Sequence, residues 1–246
     1  MSDTVTIDAR YCGPPTSGNG GYTAGALAQA MGIGAGDAVE IRLRVPPPLE
    51  VDLTVDRAGE VTRLVDHTGA EPVVVAEGRR VDAVELDPPT AATLLEATTA
   101  TTPFDADQHP FPTCFACGPG RAPGDGLRLF AGTVADRDDI FATVWTPDAS
   151  LAGPDGTVRP EIVYAALDCP GGQAVSVFGA DETAVLLGTI TASHLGTVQV
   201  GQQYVLTSWR IASEGRKHIT GVVLTDADGR ELGRSRAVWI AVPATS

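Results

Sequence analysis

The side chain best placed to do chemistry in these 246 residues is Asp168. It lies in the run VRPEIVYAALDCPGGQA (158–174), whose middle, Ile162, Val163, Ala165 and Ala166, has the spacing of a short apolar helix. A carboxylate on such a face is costly to bury unless it is paired, hydrogen-bonded or used. In use it is a general base or a nucleophile, and an apolar groove raises its pKa towards neutrality. The structural alternative is a cap on the segment that begins at Cys169-Pro170-Gly171-Gly172. A second stretch, Asn19-Gly20-Gly21-Tyr22, leads into a small-residue helix expected over 22–31. Asn19 suits a helix cap or the orienting of water, and the glycines suit either a turn or close backbone approach to a ligand. Arg216-Lys217-His218 is a compact basic cluster, suited to gripping phosphates or to ending a solvated hairpin.

The other reactive residue types point nowhere specific. Four cysteines, Cys12, Cys114, Cys117 and Cys169, are too few and too scattered for a disulfide scaffold, so reduced thiols are expected. Cys114-x2-Cys117 has His109 nearby but no second Cys-x2-Cys to complete four ligands. Small buried thiols in a tight loop are expected there, with no metal and no cofactor. His67, His109 and His194 have no partner at catalytic spacing, and Ser213 and Ser235 lack a Gly-x-Ser-x-Gly context. The glycine-rich run 32–36 does not follow a strand, so a nucleotide-binding fold is not indicated.

The elements that must position Asp168 and Asn19 come in two similar sets. After the first helix come VEIRLRV (39–45), VDLTV (51–55), VTRLVD (61–66) and PVVVAEGRRV (72–81), β-branched-rich and divided by turns. Residues 87–113, rich in Pro, Thr and Ala, predict a surface linker with one helical turn at 91–97. Strands are then expected at 126–132 and 139–147, followed by the helix with Asp168. Four long strands complete the set at 182–195, 203–213, 217–226 and 231–242, the last two joined by the hairpin turn Ala227-Asp228-Gly229. A helix with four antiparallel strands, present twice, is an α+β pattern. It predicts an N-terminal unit over 1–87, a linker over 88–113 and a C-terminal unit over 114–246.

Composition bounds the partners. Hydrophobic content of 43% and charged content of 20% suit a globular chain, and no apolar run approaches the ~18 residues of a membrane span. MSDTVTIDARYCG has neither a basic flank nor an apolar core, so no signal peptide is expected and the cytoplasm is the expected location. A net charge of −14 excludes a broad nucleic-acid footprint.

Two motifs carry a resemblance. CFACGPGRAPGDGLRLF (114–130) is similar to the Cys-Phe-x-Cys-Gly…Gly-Leu-x-Leu-x-Phe opening of hot-dog thioesterases of the phenylacetic-acid-degradation type. RPEIVYAALD (159–168) fits that family's helix His-Gly-Gly-x5-Leu-Asp, with Leu167-Asp168 in register. More weakly, NGGYTAGALA and VEIRLRVPPPLEVDL resemble the first half of tandem acyl-CoA thioesterases. The resemblance implies a double hot-dog fold, each antiparallel sheet wrapping a helix, an intrachain pseudo-dimer open to further self-association, and hydrolysis of acyl-CoA. Here Arg159-Pro160-Glu161 replaces His-Gly-Gly. Pro160 has no N–H, so Glu161 would supply the oxyanion donor at the helix start. The first half keeps Asn19-Gly20-Gly21 but has Ala28 where a carboxylate would stand. The two halves therefore retain different pieces, either of one composite site or as relics of a site no longer used; the composite site would have Asp168, Glu161 and Asn19 for catalysis, with Gly20, Gly21, Tyr22, Arg159, Arg216 and Lys217 for substrate. A non-catalytic acyl-binding protein, or a hydratase or dehydratase on the same fold, is the alternative.

Overall fold

The computed structural model describes residues 4–175 and 183–243. In chain order they form β1 (Thr4–Thr6), α1 (Gly20–Ala30), β2 (Ala38–Leu43), β3 (Asp52–Ala58), β4 (Val61–Asp66) and β5 (Val73–Val81). After α2 (Leu94–Ala100) come β6 (Gly132–Thr133), β7 (Ile140–Trp145), α3 (Pro160–Ala166) and α4 (Cys169–Gln173). The chain finishes with β8 (Thr183–His194), β9 (Tyr204–Glu214), β10 (Lys217–Asp226) and β11 (Glu231–Pro243). The first residue of the strand expected over 182–195 lies outside the described residues.

All strands join one antiparallel sheet of 11, in the order β1-β3-β4-β5-β2-β8-β11-β10-β9-β7-β6. Read inward from β1 and from β7, the order is the same: the strand before the helix comes first, the strand after it lies at the centre, and the other three fill the space between; β6 is one extra strand at the second edge. The two central strands, β2 and β8, pair directly, with Ile41 opposite Ile190. Beneath the first half, Leu27 of α1 packs with Ile41, Leu53 and Leu64; beneath the second, Ile162 of α3 packs with Leu206, Val222 and Leu224. Each of these fully buried side chains contributes about 1.5–3 kcal/mol of burial free energy.

The helices α1 and α3 lie against one another at the middle of the sheet. Small residues set their spacing. A Cβ on Gly21 would stand 2.4 Å from Asp168 Cβ and 2.6 Å from the Tyr164 carbonyl oxygen, and one on Gly25 would stand 2.5 Å from Glu161 Cα. Since the start of α1 meets the end of α3, and the next turn of α1 meets the start of α3, the two run antiparallel.

Three sequence expectations change. The strand expected over 126–132 is reduced to Gly132–Thr133. Arg128 takes φ 53°, and the N–H groups of Leu127 and Leu129 donate to Phe115 O and Ala116 O, so this stretch pairs with the Cys114–Cys117 loop instead of the sheet. The segment 88–113 is not only a surface linker. A capping box at Thr93 and Glu96 starts α2, and Ala97 and Ala100 pack with Ala142 and Val205 on β7 and β9. Finally, the helix expected to carry Asp168 is broken there. Pro170 has no N–H for the Ala166 carbonyl and its ring crowds that turn. The chain therefore stops at Leu167, whose carbonyl accepts from Ser235 Oγ at 2.7 Å, and restarts as α4.

Candidate active site

The break in the helix is what turns Asp168 towards α1. Its carboxylate Oδ2 accepts from the Gly21 N–H at 2.9 Å and from the Asn19 side-chain amide at 3.2 Å. Asn19 is also the N-cap of α1, its Oδ1 accepting from the Tyr22 N–H at 2.8 Å. Asp168 and Asn19 are each 2% exposed. Burial pushes the Asp168 carboxyl up to about 7; the Gly21 N–H opposes the rise, nearby Cys114 adds to it, and the Asn19 amide opposes it in turn. Asp168 Oδ1 accepts no hydrogen bond among the described residues. This places a proton acceptor poised near neutral pH beside the start of a helix from the other half of the chain.

Asn19→Ala removes both the cap and the amide that holds the carboxylate. It is expected to cost about 1–2 kcal/mol of stability, read as a lower urea midpoint at unchanged slope.

Asp168 lines a cavity of about 650 Å³. One wall is the loop Gly13–Gly20, another Leu43–Pro47, a third the apolar side chains Leu187, Trp239 and Val242, with Cys114, Cys117 and Cys169 near the acid and His109 also on the lining. Gly20, the first residue of α1, is on that wall, and no acceptor among the described residues takes its N–H. A helix N-terminus with a spare N–H favours negative charge on a ligand oxygen.

The sequence candidates separate into two groups. Asn19, Gly20, Gly21 and Asp168 come together. Tyr22, Arg159 and Glu161 meet elsewhere and are not among the cavity-lining residues. Tyr22 stacks on Tyr11 with ring centres 3.9 Å apart, and burial raises the pKa of its hydroxyl. The Arg159 guanidinium donates to Tyr11 Oη at 2.6 Å and pairs with Glu161 at 3.2 Å. Glu161 backs onto Gly25, so its N–H is at the far end of the helix pair from Asp168. Arg216 and Lys217 sit at the β9–β10 turn, with Lys217 opposite Ile240, which lines the cavity.

Four cavity residues, His109, Cys114, Cys117 and Cys169, were not among the sequence candidates. His109 accepts from the Phe111 N–H through Nδ1 at 3.0 Å, and burial lowers its pKa. Cys117 and Cys169 join Cys114 in a buried group whose three sulfurs lie within 4.8 Å of one another. A loop thiol and a helix thiol separated by 55 positions give no local signal; only the restart of the helix at Cys169 brings them together.

No protein-family model matches the chain, and no curated protein matches its sequence. Solved structures do. A tesB protein from Mycobacterium avium subsp. paratuberculosis aligns over 94% of this chain and 89% of its own, with 14% identity and a TM-score of 0.57. The chain has the hot-dog fold. A mutant thioesterase from Pseudomonas aeruginosa aligns over 59% of this chain and 99% of its own, with 16% identity and a TM-score of 0.45. A hypothetical thioesterase from Streptococcus pneumoniae, solved with coenzyme A, covers 45% of this chain and 86% of its own at 14% identity and a TM-score of 0.39. The hot-dog fold accounts for the repeated strand order and for helices held against the sheet. No helix among the described residues is long and apolar enough to cross a membrane.

Proposed function

We propose that this chain hydrolyses acyl thioesters, with acyl-CoA as the substrate class, at one composite site between two fused hot-dog units. The units are those of residues 1–87 and 114–246. The observation that carries the reading is the Asp168 carboxylate of one unit, held by the Gly21 N–H and the Asn19 amide of the other at the wall of an apolar cavity. The thioester carbonyl oxygen takes the Gly20 N–H, where the helix terminus stabilises the oxyanion. Asp168 Oδ1 accepts a proton from water as the water oxygen bonds to the carbonyl carbon. Collapse of the tetrahedral intermediate breaks the C–S bond, and the leaving thiolate recovers the proton from Asp168. The oxyanion donor is thus at α1 in place of Glu161.

The net charge of −14 repels acidic carrier proteins and favours a small thioester. Arg216 and Lys217 then supply local cations for its phosphates. Charge reversal of both is expected to raise KM for acyl-CoA several-fold at unchanged kcat and to flatten the salt dependence of kcat/KM.

The test is thiol release over a panel of acyl-CoAs, short to long and aromatic. Turnover supports the reading; binding of the panel without release from any member overturns it in favour of an acyl-binding protein. His109 on the lining of the same cavity as Asp168 favours a second reading, hydration of an enoyl thioester, which consumes substrate without freeing a thiol.

A further inference from the structure

Cys114, Cys117 and Cys169 line the floor of the cavity, and the hydrolysis just described uses none of them. Several features of their arrangement exceed what packing requires. The sulfurs of Cys114 and Cys169 are 3.8 Å apart, and all three lie within 4.8 Å of one another. A tetrahedral ion with metal–sulfur bonds of about 2.3 Å has sulfur–sulfur edges of about 3.8 Å. The loop has the shape that such an ion requires. Gly118 N–H closes the turn on Cys114 O at 2.8 Å, and a Cβ at Gly118 would stand 2.5 Å from that oxygen. The Asn19 amide nitrogen lies 3.8 Å from Cys114 Sγ, 3.7 Å from Cys169 Sγ and 3.2 Å from Asp168 Oδ2. One donor therefore gathers two sulfurs and a carboxylate.

We infer that Cys114, Cys117 and Cys169 form a tri-thiolate zinc site, with the fourth position left to an exogenous ligand from the cavity. Soft thiolates select zinc over magnesium or calcium, and Asn19 spreads the negative charge of the ligand set. The ion ties the Cys114–Cys117 loop to the start of α4. Cys12, the remaining thiol, lies outside the group: its Sγ donates to Thr113 O at 3.3 Å and accepts from Arg121 at 3.2 Å.

The test is metal uptake by the whole reduced chain after chelator treatment, with cobalt(II) and zinc(II) as probes and no substrate present, so its outcome is independent of thioester hydrolysis. The expected result is one ion per chain, a thiolate-to-cobalt charge-transfer band with tetrahedral d–d bands, and displacement of cobalt by zinc. Cys114→Ser, Cys117→Ser and Cys169→Ser each lower zinc affinity at least about 100-fold, more than loss of a supporting hydrogen bond does. Cys12→Ser leaves it unchanged. Absence of the band in wild-type protein, or uptake unaffected by all three cluster substitutions, overturns the inference. The wild-type spectrum decides even where a serine variant fails to fold.

Discussion

Asp168→Asn is expected to lower thiol release from acyl-CoA at least about 100-fold, the usual size of losing a general base, while making the metal-free protein more stable at pH 8. The two effects share one cause. Asn keeps an acceptor for the Gly21 N–H and fits the same space, so geometry is retained while the ability to take a proton is lost. The wild-type acid has a folded pKa of about 7 against an ordinary 3.8. Below pH 4 it is neutral folded or unfolded and costs nothing. Between 4 and 7 the unfolded chain releases its proton and the folded one does not, so stability falls as pH rises; above 7 the loss is complete. At about 1.4 kcal/mol per pH unit the loss reaches on the order of 4 kcal/mol. Thermal melts of chelator-treated wild type and variant should therefore diverge most at pH 8 and converge towards pH 5. A variant that melts lower at pH 8, or one that keeps wild-type turnover, contradicts the assignment of Asp168.

Gly21→Ala is expected to remove activity as fully as loss of the acid, and Gly25→Ala is not. Both glycines lie where α1 touches α3, and both leave too little room for a methyl, with closest approaches of 2.4 and 2.5 Å. Each substitution forces the helices apart and costs about 1–3 kcal/mol, read from denaturant midpoints. Only at Gly21 is the atom displaced Asp168 Cβ, and only there is the backbone N–H a donor to the carboxylate. A shift of about 1 Å in a reacting group costs on the order of 100-fold in rate. Equal losses of kcat in the two variants would mean that helix spacing, and not the carboxylate, limits turnover.

Much of this site was legible in the sequence. Asp168 stands out because an acid interrupts an apolar helical register, and Asn19-Gly20-Gly21 because a cap and two glycines open a small-residue helix. The strands also follow from their alternation and turns. What was not legible depends on contacts between distant segments. Along the chain, the oxyanion donor expected for Asp168 lies at the start of the helix that leads into it, at Glu161. The antiparallel crossing brings it the start of α1 instead. GLRLFAG has the composition of a strand, yet the positive φ of Arg128 and the carbonyls of Phe115 and Ala116 divert it from the sheet. Cys169 reads as a residue after a helix, and its meeting with Cys114 and Cys117 depends on where Pro170 restarts the chain.

The direct pairing of β2 with β8 has a consequence for how such a protein can change. In a symmetric dimer of one short chain, every substitution appears at both ends of the helix pair, so a residue good for one end must be tolerated at the other. Here the seam lies within one chain, and the two ends are free to differ. One end holds Asp168 against Gly21; the other sets Glu161 against Gly25, with no acid on α1 to face it. One end is released from chemistry and becomes framework. A tight-binding acyl-thioester analogue should accordingly titrate at one equivalent per chain, with a single phase and no communication between halves.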